Sequence, residues 1–222
     1  MQQNRLQWVN IILLAGAAVC LVCYDIFGGL WLKGVTSSWF VLLGTINLCA
    51  ARKYRSPFFR RIVLGLFCGM CADVLLGIAF YAGVIVFALG HVLYLAAFYT
   101  LEKFRLRDLW CMLPMAAISI FFIVGTPWIH VEDLSMIILL LFYALVISAM
   151  MGKALSNLSY KPSLGRKLLA VGSLLFWFSD LMLAVDMFGQ SSRLIWILCS
   201  YSYWPAQNLL AHSLYHAGRR EL

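Results

Sequence analysis

Eight apolar runs separated by short polar connections constrain this chain more than any other feature. They lie at approximately 8–27, 34–51, 61–81, 83–102, 108–126, 133–152, 167–187 and 193–215. A hydrocarbon core of about 30 Å is crossed by a helix of about 17–25 residues, the length of each run. With 64% hydrophobic and only 12% charged residues, and a mean hydropathy of +0.90, the chain has more apolar surface than one soluble core can hide. Inside lipid the backbone must satisfy its own hydrogen bonds, which at this composition means helices. The expected fold is an all-α polytopic membrane protein with eight transmembrane helices. No composition shift or Pro/Ser-rich linker divides it, so residues 1–222 are expected to form a single integral-membrane domain. One basic residue, Arg5, precedes the first run and no small-residue cleavage site follows it, so the N-terminal segment is expected to remain.

The basic residues give the expected topology. If the runs cross in alternation, one side collects Arg5, then Arg52, Lys53, Arg55, Arg60 and Arg61, then Lys103, Arg105 and Arg107, then Lys153, Lys161, Arg166 and Lys167, then Arg219 and Arg220. Only Lys33 and Arg193 fall on the other side. By the positive-inside rule both termini are expected in the cytoplasm, and the asymmetry favours eight spans over seven or nine. A net charge of +8 then faces anionic headgroups, so the lipid bilayer is the expected partner and no nucleic acid is needed to explain it. The oligomeric state is not legible. Cys20/Cys23 and Cys68/Cys71 have C-x-x-C spacing, but on apolar helices without further ligands they read as small packing residues, as do Cys49, Cys111 and Cys199.

Two of the nine acidic residues stand in the middle of apolar runs, in similar surroundings: Ala72-Asp73-Val74-Leu75-Leu76-Gly77 and Ser179-Asp180-Leu181-Met182-Leu183-Ala184. A carboxylate at the bilayer centre costs at least about 2.5–3.5 kcal/mol, so the default reading is a functional pair. Asp73 lies twelve residues past Arg61 and Asp180 thirteen past Lys167, about 18–20 Å from the cytoplasmic face. His91, eight residues past Gly83 on a span running the other way, reaches the same level. Tyr203 and Gln207, ten and fourteen residues past Arg193, fall at or just below it. Four helices can thus offer Asp73, His91, Asp180 and Tyr203 with Gln207 to one polar layer, with Tyr94 and Ser179 nearby. Of the remaining acids, Asp25, Asp186, Glu102, Asp108, Glu132 and Asp133 are expected to be solvated near span ends. Trp8, Trp31, Trp110, Trp128 and Trp196 are expected in the interfacial belt, and His212 and His216 at the surface. The two aspartate segments are 107 residues apart, close to half the chain, which fits a parallel repeat of two four-helix halves.

Four motifs occur in order along the chain: Ala72-Asp73-x-x-Leu76; Phe87-x-x-Gly90-His91-x-x-Tyr94; Gly172-x-x-x-Phe176-x-x-Ser179-Asp180-x-x-Leu183-Ala184; and Tyr203-x-x-Ala206-Gln207-x-Leu209. Together they resemble the YhhN-like family of membrane lysoplasmalogenases, over essentially the whole chain from Lys33 to the last run. Two positions depart from the usual pattern: Ala72 stands where Gly commonly precedes the first aspartate, and Gly34 follows Lys33 where Pro is common.

The resemblance implies hydrolysis of the vinyl ether bond of alkenyl-glycerophosphoethanolamine or alkenyl-glycerophosphocholine, a lysophospholipid substrate, to a fatty aldehyde and a glycerophospho-alcohol. Such chemistry needs a neutral acid and a nearby anion, roles that Asp73 and Asp180 would divide. A similar two-carboxylate logic serves glycoside hydrolysis, which also passes through an oxocarbenium-like state. His91, Tyr94, Ser179, Tyr203 and Gln207 would support them, and Lys33 or Arg193 would hold the headgroup phosphate. The route needs no cofactor and no metal, although one His and two Asp are a donor set that zinc accepts. Two other readings use the same residues. A proton-coupled transporter or channel would relay protons through the aspartates and His91, although Pro205 interrupts the eighth span with no counterpart in the fourth. An intramembrane aspartyl protease would carry Gly-x-Gly-Asp, absent here. Compact loops favour a bacterial cell membrane over an organelle.

Overall fold

The computed structural model describes residues 2–51 and 56–218. Arg52, Lys53, Arg55, Arg219 and Arg220, which enter the topology argument, lie outside the described residues. Among the described residues the chain is all-helical, without a strand, in eight helices: α1 (Gln2–Phe27), α2 (Leu30–Ala50), α3 (Pro57–Leu75), α4 (Phe80–Phe98), α5 (Leu106–Gly125), α6 (Leu134–Tyr160), α7 (Leu164–Phe188) and α8 (Arg193–Gly218). Five of these, α1, α4, α5, α6 and α7, are long and apolar enough to cross a membrane. Their outward faces carry exposed Ile12, Val19, Ile85, Phe121 and Ile138, an apolar surface that water would not tolerate on this scale. The chain is therefore an integral multi-pass membrane protein.

The other three helices, like these five, bring polar side chains into the interior. Ser37 and Asn47 on α2, Asp73 on α3, and Gln207 and Ser213 on α8 are all buried. Local signals set the helix starts. Ser56 accepts from Phe58 N ahead of Pro57, Asp133 accepts from Ser135 N, and Ser163 accepts from Arg166 N, each supplying an acceptor for a first-turn N–H. The α1–α2 connection is two glycines, Gly28 and Gly29, at φ +64° and +94°, a left-handed reversal that side-chain-bearing residues resist.

Several boundaries and environments differ from expectation. The third run ends at Leu75 rather than 81, because the chain folds back through Leu76–Ala79, where Gly77 N, Ile78 N and Ala79 N bond the carbonyls of Val74 and Leu75. The sixth continues to Tyr160 rather than 152, because Lys153 and Asn157 beyond it donate to groups inside the bundle. Lys153 Nζ lies 2.9 Å from Asp108 Oδ2 and donates to Lys103 O, and Asn157 donates to Phe98 O. Asp108, expected in solvent, is accordingly buried against Lys153, and Glu102 pairs with Arg166 at 2.9 Å. Asp25 pairs with Arg193. Helix α8 runs through Pro205 without interruption, as membrane helices permit when neighbouring groups compensate. His216 is buried and His212 bonds Asn10, so neither is a plain surface residue. Trp8, Trp31, Trp110 and Trp128 are exposed as expected, but Trp196 is half-buried.

Consecutive helices pack as hairpins: α1 on α2, α3 on α4, α5 on α6, and α7 on α8. Across the two halves, α2 and α3 pack together as α6 and α7 do, and α2 reaches α8 as α6 reaches α4. This correspondence is not complete: α1 touches α8 and α5 touches α7 without counterparts, and it fails most clearly at a third place. α3 packs against α8, whereas among the described residues the α4 and α7 backbones stay farther apart and the two helices meet through side chains.

Candidate active site

Asp73 sits in the last turn of α3 and is 2% exposed. The unpaired carbonyls of a helix C-terminus carry partial negative charge, so a carboxylate here depends on donors from elsewhere. Helix α2 supplies two, four residues apart on one face: Ser37 Oγ donates to Asp73 Oδ2, and Lys33 Nζ stands 3.7 Å from Oδ1. Tyr203 on α8 donates to Oδ2 at 2.8 Å. The Tyr203 oxygen in turn accepts from Gln207 Nε2 at 3.3 Å, and Gln207 Oε1 accepts from Tyr94 on α4 at 2.6 Å. This chain of bonds needs α3 to be thin where it passes. A Cβ on Gly69 would stand 2.5 Å from Gln207 Nε2, and one on Gly65 would stand 2.5 Å from the Tyr94 ring. The two glycines, one helical turn apart, are the slots that these side chains occupy.

Asp180 on α7 has a parallel set of donors from α6 and α4. Tyr143 Oη donates to Asp180 Oδ2, and His91 Nε2 lies 3.2 Å from the same oxygen and 3.1 Å from Tyr143 Oη. With the Tyr143 proton directed at the carboxylate, a proton on His91 Nε2 would complete the set of bonds to the two oxygens. Among the described residues, Nδ1 is buried with no hydrogen-bond partner. Ser179 donates back to Phe176 O at 2.7 Å, with its hydroxyl 3.3 Å from Asp180 Oδ1. The fully buried Phe176 ring stands between the two clusters, 4.5 Å from His91 and 5.3 Å from Tyr203, both in near-perpendicular contacts.

Both carboxylates line one cavity of about 270 Å3, together with Lys33, Ser179, Tyr203, Ser200, Asp186 and Trp196. The structure thus brings Asp73, Asp180, Lys33, Ser179 and Tyr203 to a common space and places His91, Tyr94 and Gln207 immediately behind them. Arg193 does not line it: it is bound to Asp25, stacks 4.6 Å from the Trp196 ring, and is exposed. Two residues escaped the sequence reading. Tyr143 could have been found by the depth argument, since it lies ten residues past Asp133, as Tyr203 lies ten past Arg193. Ser37 could have been found by helical spacing, one turn on from Lys33.

Among the described residues no three His, Cys, Asp or Glu side chains converge as a metal site. All seven cysteines are free thiols, including both C-x-x-C pairs. What the arrangement offers is two carboxyl groups in a shared space, each held by a hydroxyl from the preceding helix and by a residue from the opposite half. That geometry supports proton transfer to and from a small reacting centre. Residues 33–214 match the YhhN family, a span that contains every residue of both clusters. No curated protein and no solved structure matches the chain.

Proposed function

The chain belongs to the YhhN family, and we propose that it is a membrane hydrolase of the lysoplasmalogenase type, cleaving the vinyl ether bond of an alkenyl lysophospholipid. The observation that carries this reading is the pair of carboxyl groups on α3 and α7 facing one cavity, with a cation, Lys33, on its wall. One carboxylic acid gives its proton to the β-carbon of the vinyl ether. The double-bond electrons form the new C–H bond, and the positive charge is shared by the α-carbon and the ether oxygen. The other, ionised carboxylate stabilises that cation and takes a proton from water as the water oxygen bonds the α-carbon, giving a hemiacetal. On collapse the first carboxylate recovers a proton from the hemiacetal hydroxyl, and the second protonates the departing glycerol oxygen. The products are a fatty aldehyde and a glycerophospho-alcohol, with one water consumed and both groups restored.

In this reading Ser37 and Tyr203 hold Asp73, Tyr143 and His91 hold Asp180, and Lys33 stands where it can meet a headgroup phosphate as well as Asp73. Arg193 would meet that phosphate only by leaving Asp25. We also read all eight helices as crossings with both termini cytoplasmic, in a bacterial cell membrane, and the two halves as a parallel duplication. The charge asymmetry and the matching neighbour relations of the halves support this.

The test is aldehyde release from alkenyl-glycerophosphoethanolamine and its glycerophosphocholine analogue by detergent-purified protein, beside folded Asp73→Asn and Asp180→Asn. Release by the wild type, lost in both variants, is the expected result. No release from well-folded wild type would sink the hydrolase reading, and Asp73-dependent proton flux in liposomes would then make the protein a transporter.

A further inference from the structure

The gap between α4 and α7 is not empty of architecture. It is bridged by the His91–Asp180 contact and by the ring pairs Phe87–Phe176 and Phe80–Phe188, at 6.3 and 5.6 Å. Between these bridges runs a second, largely apolar cleft whose walls come from α4, α5, α6 and α7, among them Val84, Ile123, Leu140, Ala144, Ile147 and Trp177. All but Ile123 of these are buried in the bundle, whereas Met187, which also lines the cleft, is exposed, so the cleft reaches from the interior toward the surface. Helix α5 closes its far side, tied to α7 by a hydrogen bond from Trp177 Nε1 to Ser119 Oγ at 2.9 Å.

The cleft meets the polar cavity at one wall. Asp180, Phe87, Leu76, Leu183 and Met187 line both. Asp73, Lys33 and Tyr203 line only the polar side, and Leu140, Ala144 and Ile147 only the apolar side. A molecule occupying both spaces therefore lays its polar part beside Lys33 and Asp73, its apolar part among the α6 residues, and the bond joining them next to Asp180.

We propose that this cleft is the binding site for the hydrocarbon chain of a single-chain lipid, and that Asp180 is the carboxyl group beside the chain's first carbons. The occupant follows from the chemistry of the walls. Apart from the hydroxyls of Ser119 and Tyr143 they are aliphatic and aromatic along the cleft, and among the described residues the one charged group lining it is Asp180 at the junction. One chain is expected, since the cleft is a single space that shares a wall with one polar cavity. The inference rests on the lipid-hydrolase reading for its consequence in catalysis, while the site itself is a statement about binding.

Two measurements separate these. In the first, a non-hydrolysable alkyl lysophospholipid bearing a diazirine near the chain end is photolysed with the wild-type protein in detergent, and the labelled peptides are mapped. Label on the α5–α6 residues facing the cleft, around Ser119, Leu140 or Ile147, is expected. Label confined to α1, α2 or α8, or no saturable label, overturns the proposal whatever the enzyme activity. In the second, Leu140→Trp and Ala184→Trp are compared with wild type on octadecenyl and octenyl substrates. Each methylene excluded from an apolar site costs roughly fourfold in affinity. The ratio of kcat/KM for the long over the short chain is therefore expected to fall at least about tenfold, chiefly through KM. An unchanged ratio in two folded, active variants overturns the proposal. Labelling in the cleft with no aldehyde released from any substrate would instead keep the site and reject the hydrolase reading.

Discussion

At the scale of single residues, the two aspartates are similar in sequence and differently held in space. Asp73 is 2% exposed and balanced by Lys33, Ser37 and Tyr203, while Asp180, at the meeting of two cavities, is held by Tyr143 and His91. Hydrogen bonds to a charged group are worth about 1.5–3 kcal/mol. Tyr143→Phe keeps the ring and removes only the bond to Asp180, so kcat is expected to fall about ten- to a hundredfold with little change in KM. Activity within about twofold of wild type would show that the hydroxyl plays no part. Ser37→Ala makes the same test at Asp73. Gly69→Ala tests the close approach behind the site: its Cβ would crowd Gln207 at 2.5 Å. Overpacking of this kind costs about 1–3 kcal/mol, seen as a lowered melting temperature in detergent together with reduced turnover. Gly69 reads as an ordinary small residue of a membrane helix until the position of Gln207 is known.

At the scale of helices, the feature that hydropathy misread is the far end of α6. Its apolar run stops near residue 152, yet the helix continues to Tyr160 because Lys153 finds partners on the α4–α5 connection and on α5, and Asn157 finds one at the end of α4. The buried Lys153–Asp108 and half-buried Arg166–Glu102 pairs tie the α4–α5 connection, α5, α6 and α7 together at one end of the bundle. Removing one partner of a buried pair strands the other charge, at a cost of about 3–5 kcal/mol. Lys153→Met alone is expected to lower thermal stability strongly, and Lys153→Met with Asp108→Asn to recover most of the loss. If the double variant were as unstable as the single, the pair would not be what orders this end. Apolar runs locate helices whose faces meet lipid, but they cannot show that a lysine will be enclosed, because its partner lies 45 residues away.

At the scale of the whole molecule, the correspondence between halves and its failure between α4 and α7 organise both cavities. With eight crossings, reporter fusions after residue 27 and after residue 188 are expected to report the side opposite to fusions at either terminus. A fusion after α1 on the same side as the N-terminus would refute that topology. What the sequence determined by itself is everything that depends on composition and periodicity over about twenty residues. That includes the membrane class, the number of helices, and the shared level of Asp73, His91, Asp180 and Tyr203, since helical rise converts residue count into depth. What only the tertiary structure decided is lateral: which helices adjoin, that Ser37 and Tyr143 complete the two clusters, that Arg193 turns to Asp25, and that an apolar cleft opens beside Asp180. Depth is a one-dimensional property of each helix, whereas neighbourhood is chosen by the packing of eight helices together. No single run carries that information.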